Sequence, residues 1–273
     1  MIGIFEITEK THAGDSYCYI CYDDMHKFEK VVDSWYSGIN WSTTSTAYAL
    51  FNSLCTACGC TGSWLATTQN GYPVSNKIKA TNLQGRTVLR LLTEIAGGFA
   101  YANESGVIVV KSYTASSPVK YLDEHRYFTC TKADYTVPAV DRLIVEKAYN
   151  GNNQYLTITK AGTTGQNPLL VKNNFFCYGV PDATLTTYFN NQFSKFYAYV
   201  PFSATCYKDF GINAGEIITV DGSQTIVMAK KITLSGVSFE ATGGKERSEA
   251  TALKSEMVSY VDMEAAHLSF ITE

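Results

Sequence analysis

Two kinds of hydrophobic spacing alternate along this chain, and the sharpest change between them lies at Thr87–Tyr113, TVLRLLTEIAGGFAYANESGVIVVKSY. Val88, Leu91, Leu92, Ile95 and Ala96 recur at i, i+3, i+4, i+7 and i+8, one face of a 3.6-residue helix over 87–96. Thr87 is the expected N-cap, and Gly97-Gly98 supplies the left-handed turn that ends a helix. The period then becomes two. Phe99–Ala102 alternates, Asn103–Gly106 reads as a turn, and Val107–Val110 is β-branched, so a hairpin is predicted over 99–113. Arg90 and Glu94, at i and i+4, read as a surface ion pair. The segment is a packing unit without reactive groups.

Helical spacing also appears at Ala47, Leu50, Phe51, Leu54, Cys55 and Cys58, which places a helix over 43–59. Leu185, Tyr188, Phe189, Phe193 and Phe196 predict another over 182–196, with Asp182 as N-cap after Pro181. A short helix is expected over Met25–Val32, capped by Asp23-Asp24, and residues 246–268 are helical by pattern. Most of the rest reads as strand, with a Gly/Ser/Thr loop after the 43–59 helix and a polar stretch around Asn70–Asn76. Residues 1–22 give strand, polar turn and strand, with the first strand at Ile2–Thr8. Beyond about residue 125, strands are expected at Tyr127–Lys132, Asp141–Tyr149, Tyr155–Lys160, Tyr197–Tyr207, Glu216–Val220, Thr225–Lys231 and Ser235–Thr242. Asn150-Gly151 and Asp221-Gly222 are hairpin turn signals. So many short strands in one region predict a small barrel, and the chain as a whole reads as α+β.

Composition sharpens this picture. Of 273 residues, 45% are hydrophobic, enough for a sizeable core and about two domains. Only 17% are charged, and nineteen are tyrosine, a balance suited to extensive contact surface, as in an assembly subunit. A net charge of −3 does not suggest a nucleic-acid reader. No run approaches the ~20 apolar residues of a membrane span. The N-terminal MIGIFEITEKTHAGD lacks the basic flank and apolar core of a signal peptide, so folding in a reducing cytoplasm with free thiols is expected.

Candidate chemistry is sparse. The cysteines are Cys18, Cys21, Cys55, Cys58, Cys60, Cys130, Cys177 and Cys206, with two CxxC spacings. Cys18 and Cys21 lie three apart on a predicted strand and point to opposite faces, which does not suit one zinc ion. Cys55 and Cys58 continue an apolar stripe, and core thiols are the expectation for the set. His12, His26, His125 and His267 are dispersed, and solvated or structural roles are expected. The sequence carries no P-loop, GxSxG, HExxH or EF-hand loop. No catalytic, cofactor-binding or metal-ligating residue is therefore nominated, and no cofactor is expected. Trp35, Trp41 and Trp64 are candidates for stacking on sugars, with core or interface packing as the alternative.

The helix–hairpin stretch resembles that of tail hub proteins from phages and prophages of Gram-positive bacteria, a family related to the hubs of contractile injection machines. YCYICYDDMHKFEK resembles the strand and helix upstream of it in that family. NPLL at Asn167–Leu170, a following helix, YVPFSATCYKD and AGEIITVDG resemble its second barrel, in the same order. Gly215-Glu216 stands where the family more often has Gly-Asp. The resemblance implies a non-enzymatic structural protein with tube-type β-barrels and an inserted helix–hairpin module. Residues 1–40 would be the remnant of a first tube barrel, incomplete at its N-terminus, and 41–122 the small α/β module. Residues 123–245 would form the second tube barrel and 246–273 a C-terminal helix or linker. The implied assembly is a homotrimer at the virion tail tip. It would join the hexameric tail tube to a threefold tip and contact distal tail, tape measure and tail-tip proteins, and DNA would pass through it transiently without insertion in a membrane. Peptidoglycan cleavage or receptor binding, carried by downstream regions of many hubs, is not implied for these residues. A receptor- or glycan-binding tail module and a tail-associated cell-wall hydrolase stand as alternatives.

Overall fold

The computed structural model describes residues 4–14, 16–74, 78–113, 117–147, 154–207, 209, 211–233, 236–246 and 267–270. The chain divides into two compact units. The first comprises residues 1–112, 173–180 and 258–273, and the second comprises 113–172 and 181–257.

The first unit begins with a two-stranded antiparallel ribbon, β1 (Glu6–Ala13) and β2 (Ser16–Tyr22). The first strand thus starts later and runs longer than Ile2–Thr8. The expected helix over Met25–Val32 is instead a 3-10 turn at Asp24–Glu29, followed by a short helix, α1 (Asp33–Ser37). Asp23 does cap it, accepting from the Met25 N–H at 3.1 Å. α2 (Ala47–Cys58) is capped by the Thr46 hydroxyl at one end and left-handed Gly59 at the other. Its six stripe residues are all buried, so the spacing located the core face correctly. β3 (Gly62–Trp64) follows, where the sequence reads as loop, and β4 (Ile78–Thr81) pairs with the distant strand His267–Phe270. That pairing replaces the end of the helix expected over 246–268, of which residues 247–266 lie outside the described residues.

α3 (Gly85–Ala96) starts two residues before Thr87, which is buried inside the helix, and Gln84 occupies the N-cap. Val88, Leu89, Leu91, Leu92, Ile95 and Ala96 are all fully buried. Such a helix is surrounded on more than one side. β5 (Gly98–Ala102) and β6 (Ile108–Ser112) form the predicted hairpin, and β3 adds to β6 in parallel. The two glycines at the joint have separate roles. Gly97 is left-handed, at φ 59°, and its N–H caps the carbonyls of Thr93 and Glu94. Gly98 lies against β6 so closely that a Cβ there would meet the Lys111 carbonyl and stand 2.6 Å from the Ser112 Cα.

The first unit is completed by residues 173–180, whose Phe175, Phe176, Cys177 and Tyr178 are buried. Asn174 is fully buried, and its amide donates to the Leu91 carbonyl and to Glu94 Oε2, both at 3.0 Å. Its own Oδ1 accepts from the Phe176 N–H at 3.2 Å. The Tyr72 hydroxyl donates to the Phe176 carbonyl at 3.0 Å. Glu94 is therefore an internal carboxyl, not half of a surface pair. Burial raises it from its ordinary 4.5 to about 7, while Arg90 and the Asn174 amide oppose that rise.

The second unit opens with β7 (Lys120–Leu122) and β8 (Tyr127–Lys132). β9 (Arg142–Glu146) pairs antiparallel with β10 (Tyr155–Thr159) and parallel with β11 (Pro168–Val171). The Asn150-Gly151 turn lies outside the described residues. α4 (Asp182–Asn190) is shorter than 182–196, because a 3-10 turn at Phe193–Lys195 takes over its end. Asp182 is its first helical residue, with Pro181 at the N-cap, and its carboxylate accepts Lys147 Nζ at 2.6 Å. β12 (Phe202–Cys206), β13 (Ile217–Val220), β14 (Ser223–Ile226), β15 (Ala229–Ile232) and β16 (Val237–Ala241) follow.

These strands build a four-stranded sheet, β15-β16-β12-β8, and a three-stranded sheet, β14-β13-β7, apart from the β9–β11 sheet. Asp221-Gly222 turns β13 into β14 with positive φ at both residues, as its sequence predicts. The single strand expected at Thr225–Lys231 is two. Val227 still bonds to Glu216, while Met228 bonds to Glu240 of the other sheet, so the chain changes sheets between them. Leu122, Phe202, Ile218, Val220, Val237 and Phe239, with their neighbours, form a core shared by these sheets. The fold is α+β and dominated by sheets. Among the described residues the strands fall into separate small sheets and close no barrel, contrary to the expectation, because the chain turns corners between sheets.

Replacing Gly98 by Ala should destabilise the first unit by about 2–3 kcal/mol through backbone overlap. Gly97→Ala, at a left-handed backbone position, should cost about 1 kcal/mol, and denaturant titration of both variants checks the ranking. Glu94 makes a pH prediction. Below about 4.5 the carboxyl is protonated in both states; between there and about 7 the unfolded chain loses a proton that the folded chain keeps. Stability should fall as pH rises through that window. Glu94→Gln, which keeps an acceptor for Asn174, should gain about 1–3 kcal/mol at pH 8 and little at pH 4. Thermal unfolding at the two pH values decides it, and an equal gain at both would contradict it.

Candidate assembly surface

The groups able to do chemistry are held apart. His26 sits on the 3-10 turn after β2, with Nδ1 2.8 Å from the Asp23 carbonyl and Nε2 3.6 Å from Glu6. His12 lies on β1 against the Tyr17 ring, His125 is an exposed turn residue, and His267 is on the strand paired with β4. Asp24 pairs with Lys27 at 2.8 Å, which raises the lysine, while Asp23 serves as a cap, so the two carboxylates do not act as a dyad. Among the described residues no three His, Cys, Asp or Glu side chains converge as metal ligands. No described helix is long and apolar enough to cross a membrane.

The eight cysteines are free thiols. Cys55 and Cys58 are buried, as their spacing suggests, and Cys177 and Cys206 are buried too. Burial pushes Cys55 up to about 12 and Cys58 and Cys206 to about 11, so thiolate is scarce at neutral pH. Cys60 and Cys130 are half-buried, and burial raises them too. Cys18 and Cys21 depart from the expectation of core thiols. They lie on opposite faces of the β1–β2 ribbon, and both are exposed.

The tryptophans offer no stacking platform. Trp64 is buried, with its indole N–H on the Ala66 carbonyl at 2.9 Å. Trp35 and Trp41 are half-buried beside Tyr36, and the Trp35 N–H donates to Ser53 Oγ. The aromatic surface lies elsewhere, on residues that sequence reasoning assigned only to strands. Ile7, Tyr17, Tyr19, Ile20 and Tyr22 of the β1–β2 ribbon are 40–60% exposed, and Ile4 and Phe5 precede it, also exposed. Alternation along β2 could have shown this, since apolar residues occur there at both parities, a pattern that no single buried face satisfies.

The second unit presents two contrasting sheet edges. β15 carries Lys230 and Lys231, charges that deter lateral pairing. β8, at the other end of the sheet, pairs with β12 alone among the described strands and exposes Phe128, whose ring meets that of Tyr207.

No protein-family model matches this sequence, and no curated protein does. Solved structures do match. A tail protein from Neisseria meningitidis MC58 superposes with a TM-score of 0.53 at 12% identity, covering 88% of this chain and 78% of that one. This chain has the fold of that tail protein. The 43 kDa tail protein of prophage MuSo2 from Shewanella oneidensis aligns at TM-score 0.46 and 9% identity, covering 86% of this chain and 77% of that one. The prophage tail protein gp18 from Listeria monocytogenes EGD-e aligns at 0.48 and 11%, covering 87% and 76%.

Differential alkylation checks the thiol assignment. Maleimide should label Cys18 and Cys21 within minutes at pH 7, Cys60 and Cys130 slowly, and the four buried thiols only after unfolding, as read by mass spectrometry of digested protein.

Proposed function

We propose that this protein is a structural subunit of a phage or prophage tail, of the hub type that its sequence resembles. The observation that carries the reading is the fold shared with the Neisseria tail protein over 88% of the chain. The exposed β1–β2 ribbon and the uncharged part of the β8 edge support it, since an assembly subunit needs surfaces that another chain can cover. In this reading three copies form a ring at the tail tip, with the sheets of the second unit contributing to a tube-type wall. The ring joins the hexameric tail tube to the threefold tip. Its neighbours are distal tail, tube, tape measure and tip proteins, and DNA crosses it without sequence-specific contacts. In this reading the role is mechanical and asks for no catalytic group. The half-buried and buried tryptophans do not favour glycan binding.

Size exclusion with light scattering at micromolar concentration should give three times 30.1 kDa. A monomer over the whole accessible concentration range would count against the ring.

A further inference from the structure

The chain leaves α2 through Cys55-Thr56-Ala57-Cys58-Gly59-Cys60. Gly59 is left-handed, and its N–H bonds to the Thr56 carbonyl at 3.1 Å. The Cys60 N–H reaches further back, to the Cys55 carbonyl at 2.8 Å. This pair of bonds is the Schellman ending of a helix, which folds the residue after the glycine onto the residue five positions before it. Here both of those residues are cysteines. With ordinary backbone bond lengths, the 2.8 Å contact keeps their Cα atoms no more than about 6.7 Å apart, inside the ~4.4–6.8 Å that a disulfide spans.

The sulfurs are placed to match. A Cβ at Gly62, where the chain enters β3 just after Cys60, would stand 2.8 Å from Cys55 Sγ, so that sulfur faces the returning chain. Cys58 faces elsewhere: its Sγ would stand 3.1 Å from a Cβ at Gly85, the first residue of α3, beside the Phe28 backbone. The Cys60 thiol makes two weak contacts, 3.8 Å to the carbonyls of Asp24 and Cys58, and can rotate from them at little cost. It is half-buried, whereas Cys55 is closed off from solvent. Lys27 opposes the rise that burial imposes on the Cys60 thiol.

We propose that Cys55 and Cys60 form a redox site whose oxidant is a small external disulfide of the glutathione class. Cys60, the accessible sulfur, gives up its proton and attacks one sulfur of that disulfide. The external S–S bond breaks, a mixed disulfide forms, and the departing thiolate takes up a proton. Cys55 then loses its proton and attacks the Cys60 sulfur, and the second external thiol leaves with that proton. Two protein thiols are oxidised and one external disulfide is reduced to two thiols. The product ties the last turn of α2 to the chain entering β3. In a reducing cytoplasm the pair stays open, and in an oxidising medium outside the cell it closes. The inference stands on the geometry of this turn and not on the tail reading.

The test maps the thiols in two steps. Reduced wild-type protein is treated with oxidised glutathione at pH 8, quenched with acid, unfolded and capped with one maleimide. Reduction and a second maleimide then mark the cysteines that had been oxidised, and mass spectrometry of the digest places both labels. The second label should fall on Cys55 and Cys60 in at least about tenfold excess over Cys58, and the protein before capping should be about 2 Da lighter than its reduced form. Cys58→Ala should close in the same way, while Cys55→Ala should keep glutathione on Cys60. Should Cys55→Ala fail to fold, the wild-type map decides alone. A second label on Cys58 together with Cys60, or Cys60 left as a glutathione adduct while Cys55 stays free, overturns the proposal.

Discussion

The amide of Asn174 is the contact on which the first unit depends. It is fully buried and spends both of its donor hydrogens on α3, one on a backbone carbonyl and one on a buried carboxyl. Polar groups in such a place are costly when unmatched, so this contact fixes where residues 173–180 may lie. Phe175, Phe176 and Tyr178 are then set as apolar weight around it, and Tyr72 closes the other end. A core built only from leucines and phenylalanines could slide. One amide with its partners assigned cannot, and the neighbouring helix inherits that registration.

Local periodicity revealed much of this. The stripe of α2, the helix–glycine–hairpin order of α3, β5 and β6, and the Asp221-Gly222 turn were all legible, because each depends on residues within a few positions of one another. Long-range partners were not. Glu94 looked like a surface residue since its companion Asn174 lies eighty positions away. Thr225–Lys231 looked like one strand because nothing in its residues announces that Val227 and Met228 bond to different sheets. β3 is three residues long and takes its place from β6, not from its own pattern. Among the described residues the expected barrel does not close, for the same reason. Strand content is local information and closure is not.

The surface was less legible than the core. Tryptophan drew attention as the natural stacking residue, yet the three tryptophans are drawn into packing, and tyrosines with isoleucines carry the exposed apolar area. The signal was present in a ribbon with apolar residues on both faces and charges sorted by sign between the faces. It has meaning only once the irregularity between Ile7 and Glu9 is known, because without it Glu6 would share a face with Lys10.

The insertion of residues 173–180 into the first unit also bears on how the chain is made. Synthesis proceeds from the N-terminus, and domains ordinarily fold as they emerge. Here residues 1–112 leave the ribosome well before the segment that fills their core. The earlier part must wait with an open apolar cleft while some sixty residues of the second unit are added, a long interval for a surface rich in leucine and phenylalanine. Apolar surface held open in this way is what aggregation acts on, so the order of segments along the chain ties folding of the first unit to the arrival of residues 173–180.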